Sequence, residues 1–227
     1  MARLVSFEKI FDRAAKRKGG PAELEKLLSK PKKPAALKKI ADAHWLAMFS
    51  RGIFATGLNW RVVENKWDGI ETAYEGFDIG RMAMMSDEDL DRLLKDSRVI
   101  RQAAKILSVR DNAVFFQDLV REHGSAATFF ADWPGDDFVG LISQMKTRGA
   151  RLGGATGSYA LRRMGVDGFV LTKDVSAALV REGVVDKAPT SKKALAAVQS
   201  AFNDWREESG RPLTQISQVL AMSVGEQ

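Results

Sequence analysis

Apolar residues along this chain recur at spacings of three and four, the period of helices with one buried face. Phe7, Ile10, Phe11 and Ala14 form such a stripe behind Ser6, a candidate N-cap, and Lys16-Arg17-Lys18-Gly19-Gly20 breaks the run. Pro21 suits the first turn of a second helix through Leu28, and residues 29–34 (SKPKKP) read as a loop. One long helix is expected over residues 35–56, with Leu37, Ile40, Ala41, His44, Leu46, Met48 and Phe49 variously inward. Gly57 and Leu58 interrupt it, and Asn59 is placed to cap a helix over residues 60–73. Asp78 opens a short helical turn, and Ser86 with Asp89 three residues on resembles a capping box for a helix through Leu94. Helical spacing resumes over residues 98–122 through Ile100, Ala104, Ile106, Leu107, Val114 and Leu119, ends at Gly124-Ser125, and returns for one turn at 126–131. Ser191 is placed to cap residues 192–208, which bury Leu195, Val198, Phe202 and Trp205, and Gly210-Arg211-Pro212 precedes a last helix over 213–224. No stretch alternates with period two long enough for a sheet, so the pattern predicts an all-α protein.

Residues 149–175 (GARLGGATGSYALRRMGVDGFVLTKDV) carry the densest chemistry. An amphipathic run with Phe138, Leu141, Ile142 and Met145 halts at Gly149, a turn Gly153-Gly154-Ala155-Thr156-Gly157 follows, and a second helix is expected over residues 159–164. A helix N-terminus presents unpaired backbone N–H groups, a natural seat for one phosphate, and glycine lets an anion approach closely. Arg148, Arg151, Arg162 and Arg163 flank the turn with positive charge, and Asp174 follows the second helix by about ten residues. On spacing alone the stretch is equally an ordinary helical corner with a surface aspartate.

Charge changes the picture only locally. The net charge is +6, but residues 1–40 hold 12 Lys/Arg against 4 Asp/Glu, leaving 23 against 25 in the rest. The basic N-terminal segment, residues 1–34, is either a solvated face or a nucleic-acid contact. With 227 residues, 45% of them hydrophobic, the chain can bury a sizeable core. It contains no cysteine and two histidines, His44 and His123, which excludes disulfides, iron–sulfur clusters and thiolate zinc. No cofactor and no metal is expected. The absence of a long apolar run and of a signal peptide predicts a cytoplasmic protein with no membrane partner.

The order of helix, LGGATG hairpin, helix and trailing Asp resembles the helix-hairpin-helix DNA glycosylases. Upstream, GLNWRVVENKW and FDIGRMAMMSDEDLDRLLKDSRVIRQAAKILSVRDNA are similar to the DNA-3-methyladenine glycosylase I family, and LISQMKTRGARLGGATGSYALRRMG continues the likeness, which spans roughly residues 45–185. The resemblance implies that fold, with two helical lobes and a cleft between them, over residues 35–227, and the helix-hairpin-helix at about 137–165. It implies a monofunctional enzyme of base excision repair. Such an enzyme flips an alkylated purine such as 3-methyladenine out of double-stranded DNA and hydrolyses its N-glycosidic bond. A monomer working at the bacterial nucleoid is expected.

On that resemblance, Gly57 and Leu58 form the wedge that fills the vacated duplex, although a lone leucine is more often core. Trp60 is the pocket tryptophan, with Trp45 or Phe54 brought opposite it by a neighbouring helix; Trp45 and Trp67 are also plain core candidates. Arg151, Gly153, Gly154, Thr156 and Gly157 hold a backbone phosphate. Asp174 matches the catalytic Asp of the wider superfamily, with Thr172 competing for the slot; Asp174 as N-cap of a helix over 175–182 is the other reading. Ser158 stands where strand-cleaving enzymes carry a lysine, so no Schiff base forms there.

The chain departs from the family at one telling place. The carboxylate that reads the methylated base lies eight residues before the tryptophan, which here is Gly52, and no Asp or Glu occurs from Ala43 to Arg61. The family's zinc-binding cysteines and pocket tyrosines are missing as well. The alternative is therefore a non-catalytic helix-hairpin-helix DNA-binding protein that has lost base recognition.

Overall fold

In the computed structural model, which describes residues 4–225, the chain is helical, with no strand among those residues. In chain order the helices are α1 (Phe7–Lys18), α2 (Pro21–Leu27), α3 (Pro34–Leu37), α4 (Asp42–Ala55), α5 (Trp60–Ala73), α6 (Ile79–Ala83) and α7 (Asp87–Lys95). There follow α8 (Ala103–His123), α9 (Ala126–Asp132), α10 (Phe138–Arg148), α11 (Gly154–Met164), α12 (Lys173–Arg181), α13 (Lys192–Ser209) and α14 (Leu213–Met222). Among the described residues, no helix is long and apolar enough to cross a membrane.

Short polar side chains start several of these helices by accepting an otherwise unpaired N–H. Asn59 accepts from Arg61 N at 3.1 Å, Asp78 from Arg81 N at 2.9 Å and Ser191 from Ala194 N at 3.2 Å. Ser86 and Asp89 form the reciprocal capping box expected of them. Ser6 occupies the N-cap position of α1, but its side chain makes no capping bond. Glu208 takes that task from α13, its carboxylate accepting from Phe7 N at 2.9 and 3.0 Å.

Two expected helices are shorter than their periodicity implied. Residues 35–56 divide into α3 and α4, because Ala41 is extended (φ −60°, ψ 140°) and both flanks are tied to α9. Lys38 pairs with Asp132 at 2.7 Å, and the Asp42 carboxylate accepts from Ala127 N at 3.0 Å. The new helix direction leaves His44 exposed while Trp45, Leu46 and Phe49 are buried. The helix expected from residue 98 starts at Ala103, since Asp96 draws Arg98 into a local turn through its backbone N–H and guanidinium. Those hydrogen bonds hold the Asp96 carboxyl down at about 2.

The chain forms two compact units. One comprises residues 4–32, 134–140 and 167–225. The N-terminal helices, expected as a separate basic segment ahead of residue 35, belong to this unit: α1 packs on α13 and α14, burying Phe7, Ile10 and Ala14. A hydrophobic stripe on α1 cannot remain in water, and α14 supplies Ile216, Val219 and Leu220 as a partner. Phe169 stacks on Phe202 of α13 at 4.2 Å between centroids and meets Phe138 at a tilt at 5.0 Å. The other unit comprises Lys33–Trp133 and Leu141–Val166. Its core is aromatic: Trp45 stacks on Phe130 at 4.8 Å, and Phe49 meets Phe116 edge-on at 5.6 Å. Such pairs add about 0.5–1.5 kcal/mol each beyond simple burial.

Pro212 offers α14 no side-chain cap, and Asp167 supplies one from a distance. Its two oxygens accept from Leu213 N at 3.1 Å and Thr214 N at 2.8 Å. Asp167→Ala should therefore cost about 1–2 kcal/mol of stability. An unchanged urea midpoint in this variant would show that α14 needs no such cap.

Candidate functional site

Three features converge within the unit Lys33–Trp133 with Leu141–Val166: a corner, a pocket and a hairpin. The corner joins α4 to α5. Gly57 there has φ +71°, and Leu58 and Trp60, 43% and 56% exposed, project side chains that folding would otherwise bury. Neighbouring large apolar residues left in water mark an interaction surface. The corner is held from below by Lys105 of α8, whose Nζ donates to the carbonyls of Phe54 at 2.9 Å and Thr56 at 2.7 Å. These are unpaired carbonyls of the α4 C-terminus, where a cation is favoured. Burial and the nearby Arg151 charge pull the Lys105 ammonium below its ordinary pKa.

The pocket has a volume of about 230 Å³. Met48, Arg51 and Ala55 line it from one face of α4, at helical spacings of three and four. Trp60, Val63 and Glu64 line it from one face of α5, and Arg163 of α11 completes it. Arg51 pairs with Glu64 and lies over the Trp67 ring, 4.7 Å from its centroid. Of the expected base-pocket residues, only Trp60 is present. Trp45 is fully buried against Phe130, and Phe54 is fully buried against Tyr74 at 5.7 Å. Both rings point from α4 into the core, away from the face that lines the pocket. Glu64 was missed, although its place four residues after Trp60 puts the two on one helix face.

The hairpin joins α10 to α11, and it is shorter than the glycine spacing implied. Helix α11 begins at Gly154, so Gly154, Ala155, Thr156 and Gly157 form its first turn. Its N-cap is Gly153, which has no side chain to satisfy the N–H groups of Gly154, Ala155 and Thr156. Gly154 and Arg151 are exposed and adopt left-handed backbone, φ +60° each. Gly157 does something different. It is buried, and a Cβ there would stand 2.1 Å from the Leu152 carbonyl oxygen, so only glycine closes the turn. Asn112 of α8, fully buried, fixes the turn from behind: its Oδ1 accepts from Ala150 N at 2.8 Å and its Nδ2 donates to Ala150 O at 3.0 Å. Arg148 is committed to Glu122 by two bonds of 2.9 and 2.7 Å. Arg151 remains at the surface beside the uncapped turn.

Asp174 lies in the other unit, exposed in the first turn of α12. It does not cap that helix. Thr172 does, accepting from Val175 N at 3.1 Å. Among the described residues, no group of three or more His, Asp or Glu side chains is arranged to hold a metal ion.

Residues 38–137 match the family model for methyladenine glycosylase. DNA-3-methyladenine glycosylase 1 of Escherichia coli (strain K12) is 35% identical over 57 residues, which are 25% of this chain and 30% of that protein's length. Among solved structures, the 3-methyladenine DNA glycosylase I of Staphylococcus aureus superposes with a TM-score of 0.51 at 18% identity, covering 69% of this chain and 92% of that one. The 8-oxoguanine DNA glycosylase of Methanocaldococcus jannaschii gives 0.57 at 13% identity, covering 94% and 92%. The resemblance read from the motifs therefore holds: residues 38–137 match the methyladenine glycosylase family, and the chain has the fold of the helical DNA glycosylases.

Proposed function

We propose that this protein is a monofunctional DNA glycosylase that removes alkylated purines such as 3-methyladenine from double-stranded DNA. The observation that carries the reading is the exposed Leu58–Trp60 corner beside a ring-sized pocket, all of whose lining residues except Arg163 fall in the segment that matches the family. Leu58 enters the duplex and Trp60 stacks on the extruded base. An N3-alkylated adenine is cationic, so an indole face attracts it, by about 0.5–2 kcal/mol depending on desolvation. The positive charge also makes the base a good leaving group, and a water molecule replaces it on the sugar. The products are the free base and an abasic site. The protein acts as a monomer.

The hairpin holds one backbone phosphate. Asn59, Asp78, Ser86, Thr172 and Ser191 each accept one N–H at the start of their helix, whereas no side chain caps α11, whose N-terminus lies next to Arg151. Asp174 stabilises the charge that builds on the deoxyribose and orients the water. Its exposure, and the cap that Thr172 already supplies, support this role, since the carboxylate is not engaged in holding α12.

Three outcomes are expected. In single-turnover release of 3-methyladenine from methylated duplex, Asp174→Asn should be slower by about 100-fold or more while duplex binding is retained. A rate within a few-fold of the parent would remove Asp174 from the mechanism. Gly157→Ala should weaken binding to undamaged duplex about tenfold by forcing the turn open, whereas Gly154→Ala should add only the ~1–2 kcal/mol strain of a left-handed residue. Equal binding by both variants and the parent, in gel retardation, would dismiss the phosphate seat. Base release should survive exhaustive chelation, and loss of activity together with stoichiometric zinc would contradict the metal-free mechanism. Duplex retardation with no base released would leave the non-catalytic alternative standing.

A further inference from the structure

We infer that Glu64 is the carboxylate that reads the base in this chain, supplied from α5 where position 52 of α4 provides none. The inference rests on the glycosylase reading above and deepens it. Gly52 cannot serve: it has no side chain, and its Cβ direction faces Ala160 of α11, 3.9 Å away, not the pocket. Glu64 stands one turn after Trp60, and both line the same cavity. A ring stacked on the Trp60 indole therefore has a carboxylate at its edge.

The ion pair with Arg51 fits this role better than a stabilising one. An exposed pair of this kind contributes little to folding, about 0–1 kcal/mol. Its geometric effect is larger. Arg51 is anchored over Trp67 and donates to Glu64 Oε1, which fixes the carboxylate's direction, and among the described residues Oε2 has no hydrogen-bond partner. An ionised carboxylate only accepts hydrogen bonds, and it has about four acceptor sites. It selects a base edge that carries N–H donors and, by its charge, a cationic ring over its neutral parent. Adenine-type rings present an exocyclic amino donor where guanine-type rings present a carbonyl acceptor. The substrate class is thus an N-alkylated adenine whose amino group is free. The arginines of the pocket do not reverse this preference. Arg51 is already matched to Glu64, and Arg163 is exposed on α11, where solvent screens it.

The test compares Glu64→Gln with the parent, using duplexes that carry 3-methyladenine or 3-methylguanine. Glutamine keeps the size and one acceptor but loses the charge, and the half-exposed site should leave thermal stability and duplex affinity unchanged. The expected result is a loss of about tenfold or more in the rate of 3-methyladenine release, with 3-methylguanine release, which loses only the charge effect, slowed distinctly less. An equal slowing of both lesions would show that the carboxylate makes no contact with the amino group, and no slowing would show that Glu64 does not read the base; either overturns the inference. If the parent releases neither base, the glycosylase reading fails, and quenching of tryptophan fluorescence by free 3-methyladenine decides the rest. Quenching in the parent that Glu64→Gln weakens upholds Glu64. Absent or undiminished quenching overturns it.

Discussion

Helix α4 has to satisfy different neighbours on each side, and the geometry of its unit follows from that. One side carries Trp45, Phe49 and Phe54 into an aromatic core with Phe116, Phe130 and Tyr74. Another presents Gly52 to Ala160, where two small residues let α11 come close. A third, with Met48, Arg51 and Ala55, walls the pocket. Its C-terminal carbonyls are caught by Lys105, so the corner that displays Leu58 and Trp60 starts from a fixed point. The bulky residues of α4 are thus consumed by the core, and the pocket side is left with slimmer ones. That division explains why Trp45 and Phe54 cannot face Trp60.

What could be read from the sequence was what local chemistry decides. Asn59, Asp78, Ser86 and Ser191 cap within three residues of themselves, and each starts the helix it was expected to start. The helical class and the α10–turn–α11 arrangement were legible for the same reason. Long-range contacts were not. Nothing near Ala41 announces a break, because the chain turns there to meet α9. Asn112 and Lys105 looked like ordinary positions on a long helix, yet their side chains serve backbone groups 38 and 51 or 49 residues away. Glu208 replaces Ser6 as the cap of α1 across 201 residues.

At the site, the sequence named the corner tryptophan and the hairpin glycines but treated the glycines as a single group. The structure separates them by their surroundings. Gly154 sits at the open mouth of α11, where a Cβ would meet nothing, Gly153 lies against the Lys146 side chain, and Gly157 lies beneath, where the Leu152 carbonyl excludes any larger residue. Glycine spacing looks the same in both cases; only the fold distinguishes an open position, Gly154, from a gap too narrow for a methyl group, Gly157. Likewise, Asp174 and Thr172 are two residues apart and both of a capping type, and Thr172 is the one that caps α12.

The contact between Gly52 and Ala160 works as a ruler. Helix α11 begins at the hairpin and also contributes Arg163 to the pocket, while α4 contributes the opposite wall. The span from the hairpin mouth to the Trp60 ring is therefore set by how closely two helices approach, and not by a loop that could stretch. Alanine at position 52 would still fit, its Cβ 3.9 Å from that of Ala160, but a bulkier residue at 52 or 160 would push the helices apart and lengthen that span. The hairpin mouth and the pocket would each keep their own residues, and only the distance between them would change.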